Sequence, residues 1–174
     1  ELKQSKDERK EASDGIRKQQ KRNEEYAKML VEEGVRPTRN RILRYRLWEE
    51  SNKRCFYCGQ PISFNEFIKS SDAEREHVIP KALMFDDSFA NQVCSCRECN
   101  KEKGGRTALD YMRTKSNLQA YLDRVDDMYQ SHQIGGKKHS HLLASYDDYL
   151  SRKKEGKETK EDIMIWETPI ERQL

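Results

Sequence analysis

Two Cys-x-x-Cys pairs bracket the middle of this chain, and they constrain it more than any other feature. Cys55-Phe-Tyr-Cys58-Gly59 is the first and Cys96-Arg-Glu-Cys99 the second. Each pair can bring two thiolates to one ion through a tight turn, and Gly59 suits the position after such a turn. Four thiolates make a closed tetrahedral site with Zn–S near ~2.3 Å and no open position for water or substrate. The spacing predicts a structural zinc held by Cys55, Cys58, Cys96 and Cys99. Such a site ties together the two ends of a short polar segment that could not bury enough surface by itself. The fifth cysteine, Cys94, follows Val93 in an expected strand and reads as a small buried side chain.

Composition supports a small core with polar flanks. Only 34% of the 174 residues are hydrophobic and 37% are charged, too polar for one core spread over the whole length. No long apolar run marks a membrane span and no apolar leader follows the charged N-terminus, so metal binding is favoured over a disulfide framework. The chain begins at Glu1 rather than Met, which reads as a piece of a larger protein. The net charge of +3 is uneven: residues 1–54 carry 16 Lys/Arg against 11 Asp/Glu. A phosphate-rich partner fits that excess without being required by it.

Residues 1–33 predict a helix rich in Glu, Lys, Arg and Gln, stopped by Gly34 with Pro37 beyond. Thr38 caps a second helix over 39–50, and Arg36 just before it, together with Arg39, Arg41, Arg44 and Arg46, interleaves with Tyr45 and Trp48. That helix packs an apolar stripe on the core, tracks a phosphate backbone, or does both. Thr107 caps a short helix over ALDYMR, and Leu118, Tyr121, Leu122, Val125 and Met128 recur at helical spacing. Residues 132–141 read as a flexible turn, 145–154 as a helix, KKEGKETKED as a charged loop, and PIERQL as a first helical turn. The division expected is a helical linker over 1–37, a domain over 38–131, and a loop, helix and exit linker over 132–174.

Between the cysteine pairs stands Glu74-Arg75-Glu76-His77-Val78-Ile79-Pro80, and Asn100-Lys101-Glu102-Lys103-Gly104-Gly105 follows the last cysteine. A lone Glu-His pair is usually an ordinary polar strand end. Here it sits inside a metal-stapled loop, and Asn100 is fixed next to a metal ligand. The strings EHVIP, DDSFANQV and CRECNKEKGG together resemble the HNH nuclease signature over residues 55–113. Their spacing is similar to the HNH domain of type II CRISPR RNA-guided effector nucleases.

The resemblance implies an α+β fold: a ββα-metal core, stapled here by the four-cysteine zinc and surrounded by helices. It also implies an Mg2+- or Mn2+-dependent endonuclease. His77 matches the general base, Glu76 the metal-binding acid, Asn100 a metal-binding Asn, and Asn91 a loop Asn supporting the site. Many members have Asp where this chain has Glu76, so Glu74, on the same strand face, is a second candidate acid. Lys101, Lys103 and Arg106 are candidate phosphate contacts or else solvated charges at a helix end. Neutral imidazole accepts a proton near pH 7, and magnesium takes hard oxygen ligands.

The implied partners are the target DNA strand, the guide RNA–DNA heteroduplex and the rest of a parent effector, with this piece a monomer. In that family guide pairing chooses the sequence and this domain cuts the guide-paired strand. The polar helices at either end then read as hinged linkers, and the location as prokaryotic cytoplasm. The rival readings are a free-standing HNH endonuclease of homing or restriction type and a catalytically inactive, zinc-stabilised nucleic-acid-binding module.

Overall fold

The computed structural model describes residues 6–148 and 151. It divides into two compact units, Glu1–Arg46 and Leu47–Leu174.

The first unit is a helical hairpin. Helix α1 runs Lys6–Glu32 and α2 begins at Arg39, extending to Glu50 in the second unit. Gly34 takes the left-handed conformation (φ 72°) that ends α1, and the Val35 N–H closes the turn on the Leu30 carbonyl at 2.8 Å. Thr38 caps α2 as expected, its hydroxyl accepting from the Arg41 N–H at 3.3 Å. The basic interleaving has partners inside this unit. The Arg46 guanidinium donates to Gln19 at 3.0 Å, and the Tyr45 ring meets Tyr26 at a 41° tilt, 5.2 Å between centroids.

The second unit carries the chemistry. Strands β1 (Ala73–His77) and β2 (Gln92–Cys96) form a two-stranded antiparallel sheet, in register Ala73↔Cys96 to His77↔Gln92. Helix α3 (Arg97–Lys103) follows β2 directly and packs back on the sheet. This is the expected ββα core within an α+β fold. The first cysteine turn extends the sheet edge, with the Phe56 N–H donating to the Cys94 carbonyl at 2.9 Å. Helix α4 (Ala108–Met112) starts on its Thr107 cap, whose hydroxyl accepts from the Asp110 N–H at 3.2 Å. Helix α5 (Leu118–Gln130) buries Tyr121, Val125 and Met128, three of the residues read at helical spacing. The core is aromatic: Tyr57 meets Tyr111 edge-on at 5.5 Å, and Phe56 meets Tyr121 at 6.0 Å.

One expectation is corrected. Residues 132–141 are not a flexible turn: helix α6 spans Gly136–Leu142 and buries Lys138, His141 and Leu142. Its stability is tertiary. The Lys138 ammonium pairs with Glu50 and lies 3.9 Å from the centroid of Phe89, while the Tyr121 hydroxyl donates to the Leu142 carbonyl at 2.8 Å. Local spacing carries none of this, because the side chain that anchors the helix is a lysine. The helix read over 145–154 lies partly outside the described residues, and the KKEGKETKED and PIERQL segments lie wholly outside them. Among the described residues, no helix is long and apolar enough to cross a membrane.

Candidate nuclease and metal sites

Helix α3 is about 10 Å long and serves two sites at once. Its N-cap Cys96 and first-turn Cys99 meet Cys55 and Cys58 so that all four sulfurs lie within 4.8 Å of one another. Cys58 and Cys96 stand 3.8 Å apart, the edge of a tetrahedron with metal–sulfur bonds near ~2.3 Å. The donor set therefore fits one tetrahedral ion. Cys94 takes no part: it is buried on β2 opposite Arg75, as its strand position implied. Cys96 also accepts from the Cys99 N–H and so caps α3.

The thiols are electrostatically linked. A hydrogen bond from Cys99 brings Cys55 down to about 4 against the opposing effect of burial. Donating that proton pushes Cys99 far up, and burial lifts Cys96 to about 11. Helix α5 grips the first cysteine turn by its carbonyls. Asn117 donates to the Tyr57 carbonyl at 3.1 Å. The Arg124 guanidinium donates to the Phe56 carbonyl and lies 5.4 Å from the Phe56 centroid. Gly59 has φ 75°, and a Cβ there would meet the Arg124 guanidinium at 3.7 Å. Neither Asn117 nor Arg124 was visible as a site residue in the sequence, since each acts some 60 residues from its partner.

The other face of α3 is polar. Asn100 and Lys103, one turn apart, look onto Glu74 and Glu76, alternate residues of β1. Asn100 donates its amide to Glu74. The Lys103 ammonium lies 2.7 Å from Glu76, with the lysine side chain 0% and the glutamate 12% exposed. This departs from the expectation of Lys103 as a phosphate contact or solvated charge: it points inward because Glu76 is there to neutralise it. Burial raises the Glu76 pKa against the pull of Lys103, and burial lowers that of Lys103. Arg106 closes the C-terminal end of α3, donating to the Lys103 carbonyl at 3.2 Å and lying 5.2 Å from the Tyr111 centroid. Lys101 is exposed.

His77 ends β1, and its Nε2 lies 2.7 Å from Asp87 Oδ1. Lys81 sits 2.8 Å from the same oxygen and 2.9 Å from Oδ2. Gln92, the cross-strand neighbour of His77, donates to the Asp87 carbonyl at 3.0 Å. Asn91 is fully buried and locks the loop between the strands. It accepts from the Ile79 N–H at 2.9 Å and donates to the Ile79 and Asp86 carbonyls at 3.0 and 2.9 Å. Asp87 and Gln92 are the residues that sequence reasoning passed over. The one signal for Asp87 was its place in the DDS string.

The family description "HNH endonuclease" matches residues 55–109. Among curated proteins, the CRISPR-associated endonuclease Cas9 1 of Streptococcus thermophilus is 32% identical over 103 residues, 59% of this chain and 9% of that protein. Cas9 of Corynebacterium diphtheriae is 34% identical over 70 residues, 40% of this chain and 6% of that protein. The crystal structure of Streptococcus thermophilus Cas9 in complex with the AGAA PAM matches 83% of this chain with a TM-score of 0.63 at 26% identity. The type II-C Cas9 enzyme of Actinomyces naeslundii, at 19% identity and a TM-score of 0.59, shows the shared fold. The chain spans 9% or less of these two curated relatives and 15% of each of these solved chains. Residues 55–109 thus match the HNH endonuclease family, within a chain that is similar to the HNH regions of Cas9 proteins.

Proposed function

We propose that this domain hydrolyses a phosphodiester bond in the DNA strand paired with a guide RNA, as one part of a larger effector nuclease. His77 is the general base, and Glu76 and Asn100 hold one catalytic divalent ion, Mg2+ or Mn2+. The observation that carries this reading is the ββα placement of Asn100 on α3 over the acidic face of β1, with His77 at the strand end. The donor set suits the ion. Glu76 is a largely buried carboxylate whose present counter-charge is the Lys103 ammonium, a partner that a divalent ion at this carboxylate would share or displace. When bound, the ion neutralises charge on the scissile phosphate. Glu74 is the second candidate acid, already joined to Asn100. Asn91 supports the site by holding the loop closed.

Water attacks phosphorus while His77 removes its proton; the 3′-oxygen leaves, giving a 5′-phosphate and a 3′-hydroxyl. Structural zinc at Cys55, Cys58, Cys96 and Cys99 keeps α3, and with it Asn100, fixed against β1. Lys101 is the exposed cation best placed in sequence to meet a backbone phosphate. Sequence choice belongs to guide–target pairing.

The test is nicking of labelled DNA, single-stranded and in an RNA–DNA duplex, with Mg2+ or Mn2+, using zinc-loaded wild type and His77→Ala. Metal-dependent nicking of the paired DNA strand, lost in the variant, is the expected result. Equal nicking by the variant would remove His77 from the mechanism. Guide-independent cleavage of duplex DNA would assign the domain to the homing or restriction type.

A further inference from the structure

Taking His77 as the base, we propose that Asp87 is its positioning residue, holding the imidazole with its proton on Nε2 so that Nδ1 is the nitrogen that receives the proton of the attacking water. The argument starts from the 2.7 Å separation of Asp87 Oδ1 and His77 Nε2. Two groups reach Nε2: the Asp87 carboxylate, which when ionised only accepts, at 2.7 Å, and the Gln92 amide nitrogen, which only donates, at 3.4 Å and already donating to the Asp87 carbonyl at 3.0 Å. The shorter, charged contact makes Nε2 the donor and Nδ1 the acceptor in the neutral ring. Lys81, straddling both carboxylate oxygens, keeps Asp87 ionised.

A half-exposed His–Asp contact is ordinary by itself; the bracing around this one is not. Gln92, fully buried, fixes the Asp87 carbonyl from β2. The preceding residue, Asp86, is held by Asn91 through its carbonyl and by Lys137 of α6 through its carboxylate at 2.8 Å. The following residue, Ser88, donates its N–H to Asp86 at 2.7 Å. Strand β2 and helix α6 therefore converge on the loop that presents one carboxylate to one ring nitrogen, and Asn91 and Ser88 brace it from within. The molecule also holds a second His–Asp contact of a different kind: His139 lies 2.9 Å from Asp126, which is 63% exposed, and its ring is held by stacking on Tyr129 at 4.2 Å between centroids.

The chemistry follows. The water proton passes to Nδ1, the water oxygen bonds to phosphorus, and the P–O3′ bond breaks with the leaving oxygen protonated from solvent. The imidazolium so formed has its new charge beside Asp87, which stabilises it and keeps the ring from turning.

Two measurements test this. Histidine ring 15N–1H spectra of the zinc-loaded 174-residue chain report the protonated nitrogen of each ring directly, whether or not this piece cleaves DNA. The expected result is His77 protonated on Nε2 at neutral pH, with a downfield hydrogen-bonded ring proton that disappears in Asp87→Ala while the His139 signals stay in place. Asp126→Ala should change His139 alone. In the nicking assay, Asp87→Ala should lower kcat about 10–100-fold with KM nearly unchanged. Asp87→Asn should fall at least as far, since an amide can donate to Nε2 and reverse the tautomer, and Asp87→Glu should recover part of the rate. Wild-type His77 protonated on Nδ1, or an unchanged Nε2 signal in Asp87→Ala, overturns the proposal. So does an Asp87→Asn variant with wild-type kcat. Full activity in His77→Ala would instead remove the base assignment, leaving the spectra to report the pairing by itself.

Discussion

The two faces of α3 are held in different ways. The cysteine face is covered by aromatic rings and backbone hydrogen bonds, with Phe56, Tyr57, Tyr111 and Tyr121 packed edge to face and α5 gripping the Phe56 and Tyr57 carbonyls. The face toward β1 is a set of polar pairs, Lys103 with Glu76 and Asn100 with Glu74, and a third pair, His77 with Asp87, stands at the end of the strand. Apolar packing and a four-cysteine cluster that fits one metal ion give permanence. Polar pairs give exchangeable partners, which the proposed uptake of an ion and a phosphate requires. Sharing one short helix lets the permanent side set the geometry of the exchangeable one.

Removing the metal should break the comparison most severely. Chelation under reducing conditions, or Cys58→Ser, should abolish cooperative unfolding of the second unit, a loss on the order of 10 kcal/mol. Circular dichroism with zinc quantification checks this, and Cys94→Ala should leave the zinc stoichiometry unchanged. On the opposite face, His77→Ala should cost roughly 10²–10⁴-fold in nicking rate with zinc content and thermal midpoint preserved.

Lys103→Met should destabilise the domain by about 3–5 kcal/mol, because it leaves the Glu76 carboxylate buried without a counter-charge. Adding Glu76→Gln should restore much of that in urea titrations. Arg124→Gln should weaken zinc retention by roughly 10–100-fold in competition with a chelating dye, while Asp87 variants leave it unchanged.

The smallest effect concerns pH. Burial alone would raise the Asp86 pKa, but hydrogen bonds from Lys137 and Ser88 hold it at about 2, below the ordinary 3.8. A depressed carboxyl contributes stability above its unfolded pKa and loses it as pH falls through the folded one. This pair therefore contributes at most about 2 kcal/mol, lost between pH 3.8 and about 2. Lys137→Ala should flatten that part of an acid-unfolding curve.

The sequence showed most clearly what depends on neighbours along the chain. Both cysteine pairs, the Thr38 and Thr107 caps, the Gly34 stop and the apolar spacing of α5 are local signals. Glu76, His77 and Asn100 stood out in the sequence because the two cysteine pairs bracket the first two and adjoin the third, and the structure sets Asn100 against Glu74, the second candidate acid. Lys103, Lys138, Asp87 and Arg124 did not stand out, because their significance lies in distant partners. A lysine reads as solvated until Glu76 or Phe89 is seen beside it, and α6 reads as a turn until Lys138 is seen to be buried.

The shared role of α3 also has a consequence for synthesis. Cys58 and Cys96 are separated by 38 positions, which a ribosome takes about 2–8 s to add at 5–20 residues per second. Throughout that interval the first cysteine pair has emerged without its partners, and β1 has no strand to join. The hairpin, the staple and Asn100's place beside Glu74 then arrive within a few residues of one another. A nascent chain thus passes from having neither site to having the parts of both almost at once, so no long-lived intermediate should carry an assembled acidic face without its metal staple.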